Sequence, residues 1–125
     1  EPWRRTFCSD IAHVHLDEMG ACSFYSGGAE LGLVPQTHGR MTAADLAARI
    51  DGEDAERHGP VTVTQVTERG TVYPLETLAA LTGVARDRGL PVHMDGARVA
   101  NAVVALGCTA AEMTRGIAAV SFGGT

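Results

Sequence analysis

The pattern of apolar and polar positions along this chain switches between two periods. Val61-Thr62-Val63-Thr64-Gln65-Val66 alternates with β-branched residues, which predicts a strand with one face toward a core. Pro91 to Asp95, Ile117 to Phe122, Glu30 to Val34 and the short Thr6-Phe7-Cys8 read as further strands. Between them the spacing becomes helical. Leu75, Leu78, Ala79, Thr82 and Ala85 share one face of a helix that Pro74 opens as a first-turn residue and Gly89 ends. Val99, Val103 and Leu106 do the same in a helix from Ala97 to Leu106, stopped by Gly107. Thr42-x-x-Asp45 and Thr109-x-x-Glu112 predict capping boxes, the first opening a helix from Ala43 to Ile50 and the second a short one. Ser9 or Asp10 is expected to cap a helix reaching about Gly20, Ser26-Gly27-Gly28 to form a turn, and Asp51 to Pro60 to form a loop. Strands alternating with helices predict an α/β domain with a mainly parallel sheet flanked by helices.

Composition narrows this picture. A chain of 125 residues makes one domain with a real core, and with only 5% aromatics that core is built from Ala, Val and Leu. A net charge of −5 without a basic run argues against nucleic acid as a partner. No apolar run approaches the roughly 20 residues needed to span a bilayer, and Glu-Pro-Trp-Arg-Arg is no signal peptide. Cys8, Cys22 and Cys108 are widely spaced, which predicts free thiols in a reducing cytoplasm rather than a disulfide framework or zinc ribbon. All ten basic residues are arginine, so no side-chain Schiff base can form on these residues. Without an initiator methionine, and stopping in Ser-Phe-Gly-Gly-Thr, both ends read as cut. An open sheet edge is then expected to leave apolar area exposed.

Three segments carry chemical groups. In Met94-Asp95-Gly96-Ala97-Arg98, Asp95 ends a predicted strand just before a glycine and a helix. Ligands of open α/β sheets sit outside such strand ends. A carboxylate there can pair with a cationic ring nitrogen, and Arg98 can take a substrate carboxylate through its guanidinium fork. The plain alternative is that Asp95 caps the helix and pairs with Arg98. His13-Val14-His15, beside Asp17 and Glu18, is either a metal half-site, a histidine stacked on a ligand ring, or a polar helix face. Thr64 to Thr71 carries hydrogen-bonding groups from the strongest strand into a loop and decides nothing alone.

Further matching stretches tie these segments together. Cys8-Ser9-Asp10-Ile11-Ala12-His13 is followed by Asp17-Glu18-x-Gly20-Ala21 and Gly27-Gly28-Ala29, then Thr64-Gln65-x-Thr67-Glu68-x-Gly70-Thr71-Val72-Tyr73. Val92-His93-Met94-Asp95-Gly96-Ala97-Arg98 with Ala100-Asn101-Ala102, Leu106-Gly107-Cys108, Ala111-Glu112-Met113-Thr114 and Ser121-Phe122-Gly123-Gly124-Thr125 complete the series. In this order and spacing the chain resembles the threonine aldolase branch of the β-eliminating lyase family. The resemblance implies fold type I of the pyridoxal 5′-phosphate (PLP) enzymes, and residues 1–125 as the central part of the PLP-binding large domain. The family's phosphate-binding loop, Schiff-base lysine and small C-terminal domain lie outside these residues. His13 corresponds to the histidine that stacks on the PLP ring, Asp95 to the aspartate that pairs with the pyridine nitrogen, and Thr67 to a threonine near the substrate. Arg98 corresponds to the arginine that binds the substrate carboxylate. A further family histidine handles the substrate hydroxyl, and His58 is the candidate for it. No metal ligand is implied.

For the complete protein the resemblance implies retro-aldol cleavage of threonine or allo-threonine to glycine and acetaldehyde. The substrate is a small amino acid, and the enzyme is cytoplasmic and forms a homo-oligomer, a dimer or tetramer. Another PLP-dependent lyase reaction such as β-elimination, a metal hydrolase using His13, His15 and Asp95, and a non-catalytic truncated product remain as alternatives.

Overall fold

The alternating residues Val61 to Thr64 lie in the central strand of the sheet. In the computed structural model, which describes residues 1–123, it runs as β5 (His58–Thr64), with Val61 and Val63 buried on one face. β1 (Arg5–Ser9) and β6 (Val92–Gly96) flank it, with β2 (Glu30–Val34) and β7 (Ala119–Phe122) outermost, in the order β2-β1-β5-β6-β7. Every neighbouring pair is parallel, as the alternation of strands and helices predicts. Gly124 and Thr125, the end of the Ser-Phe-Gly-Gly-Thr stretch, lie outside the described residues.

One face of the sheet is a helix-packed core. Phe7, Val34, Val61, Val63, Val92 and Met94 meet Leu46 and Ile50 of α3 (Ala43–Asp51) and Leu78, Leu81 and Ala85 of α4 (Leu75–Arg86). Val99 and Ala102 of α5 (Val99–Leu106) and Met113 of α6 (Ala110–Met113) extend it. Each fully buried Leu or Ile is worth about 1.5–3 kcal/mol. Helix ends follow the sequence signals. Thr42 accepts from the Asp45 N–H, Thr109 and Glu112 form a complete capping box, and Gly107 closes α5 with φ 61°. Thr109, through its N–H and hydroxyl, holds the Glu112 carboxyl below the usual carboxylate range.

The other face carries only α1 (His13–Leu16) and α2 (Ala21–Ser26), neither of which buries a residue. The helix expected up to about Gly20 therefore covers only His13–Leu16, and α2 follows where none was expected. Met19 (φ 49°) and Gly20 (φ 81°) turn the chain through the left-handed region, and without an apolar face to pack no force holds one continuous helix. Ser9 caps no helix; its hydroxyl accepts from the Ile11 N–H two residues on. Phe24 and Tyr25 stay exposed on α2, and β7 is exposed along its length, in line with the expected open surface.

Two connections differ from expectation. β5 begins at His58 rather than Val61, because Gly59 lets the strands close up: a Cβ there would lie 2.4 Å from the Arg5 carbonyl oxygen. Residues 35–42 form an unexpected hairpin, β3 (Gln36–Thr37) and β4 (Arg40–Met41), whose turn places His38 and Gly39 at positive φ. The hairpin is pinned to the loop after β5. Buried Tyr73 accepts the Met41 N–H through its hydroxyl at 2.9 Å, while the buried Gln65 amide exchanges two hydrogen bonds of 3.0 Å with the Tyr73 backbone. Tyr73→Phe leaves the Met41 N–H buried and unpaired, which is expected to cost about 1–3 kcal/mol in denaturant unfolding. Unchanged stability would contradict this role.

Candidate cofactor and substrate site

Alternation along β5 and β6 sends Thr62, Thr64, His93 and Asp95 to the face opposite the core, where they line a cavity of about 460 Å³. Ser121 of β7 adds to this floor, and Val14, Ala21 and Cys22 line the cavity from α1 and α2. The floor is a hydrogen-bonded row across three strands. Thr62 Oγ1 lies 2.8 Å from His93 Nδ1, and His93 Nε2 lies 2.7 Å from Ser121 Oγ. Each hydroxyl can donate or accept, so both ring nitrogens are satisfied in either neutral tautomer.

Asp95, the last residue but one of β6, is in register with Thr64 on one side and Ser121 on the other. Its Oδ1 accepts from the Ala97 N–H at 3.1 Å. It does not cap α5, whose N-cap position is Arg98, and among the described residues it forms no ion pair with Arg98. Neither half of the plain alternative for this pair is therefore present. Arg98 is exposed and starts α5 just past the carboxyl end of β6.

His13 follows β1 at the same end of the sheet. Its ring is turned to Asp17, Nδ1 to Oδ2 3.0 Å, and its backbone N–H donates to Glu68 Oε1 at 2.8 Å. Neighbouring Val14 lines the cavity that Asp95 also lines. Among the described residues no three His, Cys, Asp or Glu side chains converge as metal ligands, so His13, His15 and Asp95 are not gathered into such a group. Cys8 is fully buried; burial, reinforced by Cys22, Glu68 and Asp10, pushes its thiol up to about 12 and keeps it protonated.

Thr67 and His58 stand elsewhere. Thr67 is buried beyond the end of β5, its hydroxyl 2.7 Å from Thr71 Oγ1 and also accepting the Thr71 N–H at 3.2 Å. That hydroxyl packs on the hairpin, where a Cβ on Gly39 would approach it to 2.5 Å; Thr64 instead supplies the hydroxyl in the cavity wall. His58 begins β5, whereas Asp95 lies opposite the last residue of that strand. His58, the expected handler of a substrate hydroxyl, thus stands at the far end of β5 from Asp95. Its Nε2 lies 2.9 Å from the Ile50 carbonyl oxygen and 3.1 Å from that of Glu53, so it serves as a tie for the end of α3. The loop between α3 and β5 had offered no signal of which sheet end its histidine would reach. Glu68 and the Thr62–His93–Ser121 row were missed, although the period-2 pattern already put Thr62 beside Thr64 and His93 beside Asp95 on one face.

A parallel sheet with a carboxylate at a strand carboxyl end, beside an open cavity, is the α/β architecture in which ligands commonly sit at the strand ends. The chain belongs to the β-eliminating lyase family, whose sequence profile matches residues 1–125. It is 40% identical over 130 aligned positions to the low specificity L-threonine aldolase of a Pseudomonas species, covering 100% of this chain and 38% of that protein. The chain therefore spans well under half the length of that relative. Threonine aldolase from Leishmania major superposes with a TM-score of 0.73 at 24% identity, covering 82% of this chain and 30% of that one. A PLP-bound C-S lyase from Staphylococcus hominis superposes with a TM-score of 0.60 at 11% identity, over 76% of this chain and 23% of that one. The fold is thus the fold type I large domain, in part.

His58→Ala in the full-length protein is expected to lower stability by about 1 kcal/mol, through the lost hydrogen bonds to α3, and to leave kcat within about twofold, well short of the roughly 10²-fold or greater loss of a general acid–base group. A hundredfold fall in kcat would return His58 to the site.

Proposed function

We propose that the whole protein is a PLP-dependent aldehyde-lyase that cleaves threonine or allo-threonine to glycine and acetaldehyde. The observation that carries this reading is Asp95. It stands in the wall of a strand-end cavity, with one carboxylate oxygen bonded to a backbone N–H and no cation paired to it among the described residues, in a chain 40% identical to a low specificity L-threonine aldolase.

The donor set fits PLP. A carboxylate with acceptor capacity to spare suits a protonated ring nitrogen, and the cavity leaves room beside it for a flat ring. Bound there, the cofactor supplies an electron sink for the pair released when the substrate Cα–Cβ bond breaks. Asp95 keeps the proton on the ring nitrogen, because a nearby anion favours the charged form. His13 covers the ring from the α1 side. Arg98 takes the substrate carboxylate by its guanidinium fork and so fixes which bond at Cα stands toward the ring. Thr67 acts on the site through the loop it braces.

In this reading residues 1–125 are the central part of the large domain. All basic residues here are arginine, so the amine that anchors the cofactor comes from the remainder of the protein, as do the phosphate-binding loop and the small C-terminal domain. The chain alone is without threonine cleavage; the complete protein is a cytoplasmic homo-oligomer, a dimer or tetramer. No helix among the described residues is long and apolar enough to cross a membrane.

Steady-state assay of the full-length protein with threonine, allo-threonine and other amino acids tests the reaction, and Asp95→Asn tests the site. The variant is expected to retain PLP, held also by its phosphate and its amine link, while kcat falls on the order of a hundredfold through lost electrostatic stabilisation. Unchanged turnover, or preferred elimination from a substrate lacking a β-hydroxyl, would overturn the proposal.

A further inference from the structure

α1 is a four-residue helix with no cap of its own, since Ala12 stands at the N-cap position without a side-chain hydrogen bond. It buries none of its residues, so core packing does not set its position. Its first N–H, on His13, is satisfied by a residue 55 positions away: Glu68 Oε1 accepts it at 2.8 Å. The same oxygen accepts the Thr64 hydroxyl at 2.8 Å, and Thr64 lies directly opposite Asp95 in the β5–β6 register. One carboxylate thus ties the His13 backbone to the strand end beside Asp95. Among the described residues the His13 ring has otherwise only its half-exposed pair with Asp17, a contact worth little in water.

We propose that Glu68 is a positioning residue for His13. Its carboxylate fixes where α1 begins, and so where the His13 ring stands against the cofactor, without itself touching cofactor or substrate. This rests on the reading of His13 as the residue covering the PLP ring.

The test is a double-mutant cycle in the full-length protein, comparing wild type, Glu68→Ala, His13→Ala and the double variant, with Glu68→Gln as the conservative form. The readouts are the PLP dissociation constant, from cofactor fluorescence, and the induced circular dichroism of bound PLP. Glu68→Ala is expected to weaken PLP binding about fivefold, the scale of a lost cap, and to move the circular dichroism toward that of His13→Ala. Glu68→Gln keeps the accepting oxygen and is expected to restore both. In the His13→Ala background, Glu68→Ala is expected to add nothing. An undiminished Glu68 effect on top of His13→Ala, wild-type values in Glu68→Ala, or Glu68→Gln no better than Glu68→Ala would each overturn the proposal. Wild-type values in His13→Ala would instead overturn the placement of His13 beside PLP, which separates the two failures. If Glu68→Ala does not accumulate folded, Glu68→Asp, which withdraws the carboxylate by one methylene, takes its place with the same expectations.

Discussion

Parallel pairing brings every strand's carboxyl end to one rim of the sheet, and the whole site depends on that constraint. β1, β5, β6 and β7 run the same way, so the segments leaving them all emerge on one side. Asp95, the start of α1 and the Glu68 loop lie far apart in sequence, yet meet there because no other exit exists. Register then sets the finer placement, with Thr64, Asp95 and Ser121 abreast on adjacent strands. A slip of one residue would turn Asp95 into the core and Met94 out to the cavity.

The two faces of the sheet solve different problems. The core face buries aliphatic side chains against α3, α4 and α5 and supplies the burial energy. The cavity face satisfies its polar groups within itself, through Thr62, His93 and Ser121, and so needs no helix laid flat upon it. At the amino ends of the strands, Glu53 is bound by Arg5, Arg49 and Arg57, while Glu30 joins Arg5 and Arg57. Burial works against the Glu53 charge, but the Arg49 hydrogen bond and the neighbouring guanidiniums hold its carboxyl below the usual range. Its contribution to stability is therefore present above the ordinary glutamate pKa and lost as pH falls through the lowered one. The two ends of the sheet are thus divided, with ion pairs at one and the open cavity at the other.

Much of this was legible in the sequence where a local signal and its tertiary use agree. Val61 to Thr64 alternates because one side faces a core, and Thr109 with Glu112 caps a helix by purely local hydrogen bonds. The position of Asp95 was legible because a carboxylate near the end of an alternating run lies at a strand end whatever the neighbours are. Which sheet end His58 reaches depends on strand direction and on Gly59 admitting β1, which no local pattern encodes. The helix expected up to about Gly20 shrinks to His13–Leu16 for the opposite reason: local capping signals favoured a longer one, and no packing partner holds it. Glu68 looks like an ordinary loop carboxylate until the fold brings the start of α1 to it.

The central claim is that Asp95 is the partner of a protonated cofactor ring nitrogen at the strand-end cavity. The most direct measurement is the ¹⁵N chemical shift of the pyridine nitrogen in the full-length protein loaded with ring-¹⁵N-labelled PLP. The account predicts the shift of a protonated pyridinium, maintained well above the pH at which free PLP loses that proton, and its loss in the Asp95→Asn protein. A neutral pyridine shift in the unaltered protein, or a protonated shift unchanged by Asp95→Asn, would contradict it.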